Sequence, residues 1–119
     1  GDPETQPIML RLQSDLVALC LAALEGRLDQ CTAGWDSRAS LGVVMAAGGY
    51  PDAYAKGLTI SGLPSGEETD RKVFHAGTAQ RGGQVVTSGG RVLCVTALGA
   101  DVAEAQRRAI GPCASAASR

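Results

Sequence analysis

Apolar and polar positions follow different periods along this chain, and the changes of period mark its elements. From residue 8 to about 24 the period is helical. Ile8, Met9, Leu12, Leu16, Leu19, Cys20 and Ala23 share one broad face, while Arg11, Ser14, Asp15, Ala18 and Glu25 fall on the other. Pro7 suits a first helical turn, Thr5 or Gln6 can cap it, and Gly26 suits its C-terminal end. Arg11 and Asp15 are spaced as an i, i+4 ion pair. Residues 27–39 are polar and turn-rich, with the single tryptophan, Trp35, expected to pack this connection onto the body. Residues 40–47 read as a buried strand that ends in the sharp bend Gly48-Gly49-Tyr50-Pro51. Residues 58–60 and 72–75 are short strand candidates, 65–71 an exposed loop tip, and 80–83 a turn.

The densest signal lies in residues 84–109. A β-rich run at 84–87 meets the turn Ser88-Gly89-Gly90, and a longer run of Val, Leu, Cys and Thr follows from Arg91 to Leu98. Gly99 ends it, and Asp101 with Glu104 has the form of a capping box. The segment predicts a hairpin feeding a helix. Val92, Leu93, Cys94 and Val95 are consecutive and apolar, so this strand is expected to be central, with both faces covered. Arg91 stands at its start beside two glycines. After Ala109, Gly111-Pro112 is expected to stop the helix, and the tail 110–119 to be disordered. The fold class is α+β: an N-terminal helix, then a small, mostly antiparallel sheet with one packing helix.

Composition narrows the partners. With 119 residues the chain holds one domain at most, or part of one. A formal net charge of -1 and only four aromatic residues argue against nucleic acid and against an anionic membrane. Cys20, Cys31, Cys94 and Cys113 form no CxxC pair, which favours free thiols in a reducing compartment over disulfides or a metal site. No stretch is long enough to span a bilayer and no signal peptide is visible, so a cytoplasmic location is expected.

The chemistry that residue types alone suggest stays open. Asp2 and Glu4 could hold a cation or an amine, or be two solvated acids ahead of a helix. His75, the sole histidine, sits at a strand end, where a structural role is common. The bends Gly48-Gly49-Tyr50-Pro51 and Ser88-Gly89-Gly90-Arg91 could bring backbone N–H groups and a guanidinium to a phosphate, or be two ordinary turns. No Walker A, HExxH, GxSxG or paired zinc-ligand pattern is present.

Several segments together carry a resemblance. GDPETQP before an amphipathic helix, then ASLGVVMAAGGYP, VFHAGT, VVTSGGRVLCVTALG and VAEAQRRA, closely resemble the C-terminal part of the glycinamide ribonucleotide synthetases. These are the phosphoribosylamine–glycine ligases of the ATP-grasp superfamily. The resemblance runs from Gly1 to about Ala109 and covers the last portion of a longer enzyme. It implies residues 1–26 as the end of an ATP-grasp domain, 27–109 as the C-terminal domain and 110–119 as an atypical tail. It implies a reaction in de novo purine (IMP) synthesis in which ATP phosphorylates glycine and the amine of 5-phosphoribosylamine displaces the phosphate. Magnesium or manganese would offset charge on the transferred phosphoryl group.

In the family, the metal ligands lie in a Glu-x-Asn-x-Arg-Phe segment just before GDPE, and the nucleotide-grasping groups lie further upstream. The resemblance therefore implies that this chain begins after them. By that reading it would hold no metal ligand or catalytic residue, bind neither ATP nor metal tightly, and be inactive without an upstream ATP-grasp polypeptide. The implied substrate-side positions are Asp2, Pro3 and Glu4, with Glu4 a candidate for the glycine amine. Gly89, Gly90 and Arg91 are implied on the ribose-phosphate side, and Gly48, Gly49, Tyr50, Pro51 and His75 along the cleft. The alternative is a non-enzymatic module of the same fold that binds a phosphorylated ligand or another chain.

Overall fold

The strand β5 (Arg91–Gly99) organises the molecule. The computed structural model describes residues 1–66 and 68–116. In it β5 lies between β1 (Ala39–Ala46) and β2 (Arg71–His75), both antiparallel to it. Val92 through Leu98 are all buried, as the run of consecutive apolar residues predicts. Alternation assigns the two faces. Val95 and Ala97 pack with Ala109 of α3 (Val102–Ala116), against Leu41, Val43, Met45 and Val73. Cys94 and Thr96 look the other way, toward Gly42 and toward Pro7 of α1 (Thr5–Arg11). A Cβ on Gly42 would stand 3.0 Å from the Cys94 Sγ and 3.3 Å from the Thr96 Oγ1, so this glycine makes room for those two side chains beneath α1. One helix thus covers each face of a three-stranded sheet, in an α+β architecture.

The expected single N-terminal helix is instead two: α1, and α2 (Leu16–Leu24). The break has a local cause. Leu12 turns extended and bridges Trp35, and the Gln13 amide donates to the Gly34 carbonyl at 2.9 Å. The Ser14 Oγ accepts from the Gly34 amide at 2.7 Å, and the Asp15 Oδ1 caps α2 by accepting from Val17 N at 2.8 Å. The Arg11–Asp15 pair therefore does not form. Arg11 donates through Nε and Nη2 to the Asp36 carbonyl, at 3.0 and 2.9 Å. Trp35 does join the connection to the body, yet stays half exposed.

Two further expectations are corrected. β4 (Gln84–Thr87) does not pair with β5; it pairs with β3 (Thr78–Arg81) as a separate two-stranded sheet. Gly82 and Gly83, at φ 56° and 78°, make the two-residue turn whose twist matches antiparallel strands. Residues 80 and 81 are therefore strand, and Ser88-Gly89-Gly90 carries the chain from one sheet to the other. Residues 58–60 run beside β4 through a Thr59–Val86 bridge. The capping box forms at α3: Asp101 Oδ1 accepts from Glu104 N at 2.7 Å, and Glu104 Oε2 accepts from Ala100 N at 2.6 Å. The helix then runs past Gly111-Pro112 to Ala116, where a stop and a disordered tail were expected. Proline withholds its own N–H and crowds the carbonyl four residues earlier, a cost that disfavours a helix without forbidding it. Residues 117–119 of the expected tail lie outside the described residues. No helix among the described residues is long and apolar enough to cross a membrane.

Candidate functional site

The start of β5, the bend after β1 and the residues before α1 meet at one corner. Ala47 N donates to the Gly90 carbonyl at 2.8 Å, which ties the end of β1 to the approach of β5. The Tyr50 ring lies directly on Gly90: a Cβ there would fall 2.2 Å from Cδ2. Tyr54 meets Tyr50 edge-on, with centroids 6.2 Å apart, and Lys56 Nζ stands 5.8 Å from the Tyr54 centroid.

Arg91 reaches this corner through an irregularity in the sheet. Met45 pairs with Leu93, but Ala46 pairs with Arg91, so the register skips Val92. Strict alternation from Leu93 would send Arg91 toward α3. The bulge re-aims it to the α1 side, where its Nε lies 3.1 Å from the Asp2 Oδ2. The other Asp2 oxygen accepts from Gln6 Nε2 at 2.7 Å. The Arg91 side chain remains 42 % exposed, so its guanidinium is both oriented and open to solvent.

The structure therefore joins Asp2, Tyr50, Gly90 and Arg91 in one connected group. Gly89 and Pro3 are their chain neighbours, and Gly49 and Pro51 flank Tyr50 in the bend. The Asp2–Pro3 and Tyr50–Pro51 peptide bonds are both cis. Three residues lie elsewhere. Glu4 is exposed and lines a hollow with Pro7, Ile8, Arg11, Trp35 and Ser40. Gly48 faces a second hollow, with Met45, Leu58, Ile60 and Thr87. His75 borders a third, with Pro64, Arg71, Lys72 and Val85, and its Nδ1 is 3.0 Å from the Thr78 Oγ1. Sequence reasoning treated Gln6 only as a cap and passed over Tyr54. The spacing of Gln6 four residues after Asp2, on a predicted helix start, was the available signal for the first.

A second polar cluster, absent from the sequence reading, clamps the opposite end of the sheet. Arg38 makes a forked contact with Asp36, Nη2 to Oδ2 at 2.7 Å, and donates through Nη1 to Asp70 Oδ1 at 2.8 Å. Arg108 stands 3.7 Å from Asp70, pairs with Glu104 and donates to the Leu98 carbonyl at 2.9 Å. The Arg38 side chain, followed by its backbone N–H, holds the Asp36 carboxyl down to about 2, and Asp36 in turn pushes the Arg38 guanidinium further up. Arg71 similarly lowers Glu68. Among the described residues no three His, Cys, Asp or Glu side chains are grouped to hold a metal ion.

The family described as "Phosphoribosylglycinamide synthetase, C domain" matches residues 40–117. The chain belongs to this family. The match opens within β1 and takes in all of α3. Among relatives, the phosphoribosylamine–glycine ligase of Escherichia coli O157:H7 is 72 % identical over 110 residues, which are 92 % of this chain and 26 % of that protein. The Vibrio cholerae enzyme of the same name is 70 % identical over 109 residues, 92 % of this chain and 25 % of its own length. The crystal structure of phosphoribosylamine–glycine ligase from Thermotoga maritima superposes with a TM-score of 0.72 at 36 % identity, covering 96 % of this chain and 27 % of that one. The chain thus spans about a quarter of the length of the relatives it matches.

Proposed function

We propose that this chain supplies the substrate-side wall of a phosphoribosylamine–glycine ligase, the enzyme that joins glycine to 5-phosphoribosylamine in purine synthesis. The observation that carries the reading is the identity of 72 % over 110 residues with an enzyme of that name. In the proposed reaction ATP phosphorylates the glycine carboxylate, the sugar amine attacks the resulting acyl phosphate, and inorganic phosphate leaves as the amide bond forms. Arg91 receives the phosphate of 5-phosphoribosylamine, because a guanidinium presents paired donors that match a phosphate edge. Gly89 and Gly90 serve it indirectly, by letting the chain pass under Gly77 and the Tyr50 ring on its way to Arg91. Glu4 offers its carboxylate to the ammonium of glycine. ATP, with Mg2+ or Mn2+, belongs to the remaining three-quarters of the enzyme, without which this chain does not turn over. Cytoplasm is the proposed compartment.

The phosphate seat is tested by titrating this chain calorimetrically with ribose 5-phosphate. Binding that is lost in Arg91→Ala, with the circular dichroism of the variant unchanged, supports the assignment. An Arg91→Ala variant that binds as well as the parent overturns it.

A further inference from the structure

We infer that Gln6 is a positioning residue for the Arg91 guanidinium, acting through Asp2; this rests on the reading of Arg91 as the phosphate seat. The geometry is a relay in which one carboxylate holds two partners. Asp2 Oδ1 accepts from Gln6 Nε2 at 2.7 Å, and Asp2 Oδ2 lies 3.1 Å from Arg91 Nε. The amide can face Asp2 in only one sense, since an ionised carboxylate accepts and never donates. Its other end adds no restraint: Gln6 Oε1 is buried and has no hydrogen-bond partner among the described residues. The side chain is thus held in place by its bond to Asp2.

Both ends of the relay are tied to the sheet. Gln6 precedes Pro7, which packs over Gly42 on the α1 face of the sheet. Arg91 is held at its backbone, where Gly77 N donates to its carbonyl at 2.9 Å. Asp2 lies between them, ahead of the helix, and Gln6 is the group that selects its rotamer. Without that bond the carboxylate swings, and the long Arg91 side chain samples several directions. With it, Asp2 stays in ion-pair range of Arg91, 3.1 Å from Nε, and the terminal Nη pair is left for a forked contact with a phosphate.

The test is a variant that keeps bulk and loses the donor. Gln6→Met fills the same volume against the sheet, so a merely structural Gln6 predicts no change in ligand affinity. The positioning role predicts that the Arg91 Nε–H resonance moves toward that of a free arginine while the melting temperature stays near the parent's. It also predicts that ribose 5-phosphate binds about tenfold more weakly, the loss of one charge-assisted hydrogen bond's worth of orientation. Gln6→Glu, which sets a like charge beside Asp2, should displace the Nε–H signal further and keeps the question answerable if the Met variant folds poorly. A Gln6→Met protein with the parent's Nε–H resonance and affinity overturns the inference. If the parent itself fails to bind ribose 5-phosphate, the phosphate reading falls, while the Nε–H resonance still decides whether Gln6 orients Arg91.

Discussion

Gly77 and Gly89 lie back to back, so close that a Cβ on Gly77 would stand 2.6 Å from the Gly89 Cα. The same Cβ would meet the Arg91 carbonyl oxygen at 2.6 Å. Around this contact Ser88 N and Gly89 N both donate to the Gly77 carbonyl, at 2.7 and 3.0 Å. The clasp fixes the passage from β4 to β5 and hence the place from which Arg91 departs. The obstructing atoms are backbone, which cannot rotate aside. Gly77→Ala is expected to cost about 1–3 kcal/mol in urea unfolding and to weaken phosphate binding through displacement of Arg91. Gly48→Ala is the control: a Cβ there meets nothing within 4 Å, and the change is expected to stay within about 0.5 kcal/mol. Equal losses in both variants would contradict the clasp.

Acid should loosen the opposite end of the sheet first. The Asp36 carboxyl is held at about 2 in the folded chain, chiefly by the Arg38 side chain, and rises to about 3.9 on unfolding. A depressed folded pKa contributes stability that is complete above the unfolded value and is lost as pH falls through the folded one. Stability should therefore decline between about pH 4 and pH 2 in the parent, and decline less steeply in Asp36→Asn. Carboxyl NMR should place the Asp36 midpoint near 2, with Arg38→Ala returning it toward the ordinary range. A midpoint in the parent at the ordinary carboxylate value would refute this.

The start of α3 carries two side-chain caps, Asp101 on Glu104 N and Glu104 on Ala100 N, so the two should be separable. Asp101→Ala removes the acceptor for Glu104 N and is expected to cost about 1 kcal/mol in thermal or urea unfolding. Glu104→Ala removes a bond to Ala100 N and the contact with Arg108 as well, so it should cost at least as much. No loss in either variant would show that packing of Ala105 and Ala109 alone holds the helix.

These elements differ in how far the sequence announced them. The β5 core, the cap of α3 and the strands β1 and β2 were legible because each depends on local pattern: consecutive apolar residues, a four-residue cap, β-branched runs. The division of the N-terminal helix was not legible, because Leu12 leaves the helix to meet Trp35, which lies 23 positions later. Pairing of β4 with β3 was masked by two glycine turns of similar appearance, and only positive φ at Gly82 and Gly83 distinguishes them. At the site, Arg91 was singled out from its flanking glycines, but its approach to Asp2 depends on a bulge that no side-chain pattern marks. Glu4, Gly48 and His75 were grouped with it by resemblance, and each lines a different hollow.

An unpartnered apolar surface gives a further expectation. On α2, Val17 is 66 % and Leu24 85 % exposed, with Leu16 and Leu21 about half exposed on the same helix; Ile8 and Leu28 are also about half exposed. Exposed groups of this kind favour association. Light scattering of the isolated chain should show mass rising with concentration, and Leu21→Lys with Leu24→Glu should suppress the rise. A monomer at every concentration would count against it.

The central claim, that this chain completes a ligase by bringing Arg91 to the substrate phosphate, meets its most direct test in reconstitution. The Escherichia coli relative, deprived of the C-terminal quarter that this chain matches, would be mixed with it and supplied with ATP, Mg2+, glycine and 5-phosphoribosylamine. Formation of the glycine amide with release of phosphate, strongly reduced by Arg91→Ala, is the predicted result. Two polypeptides that bind each other yet form no product, or a product whose rate ignores Arg91→Ala, would contradict the account.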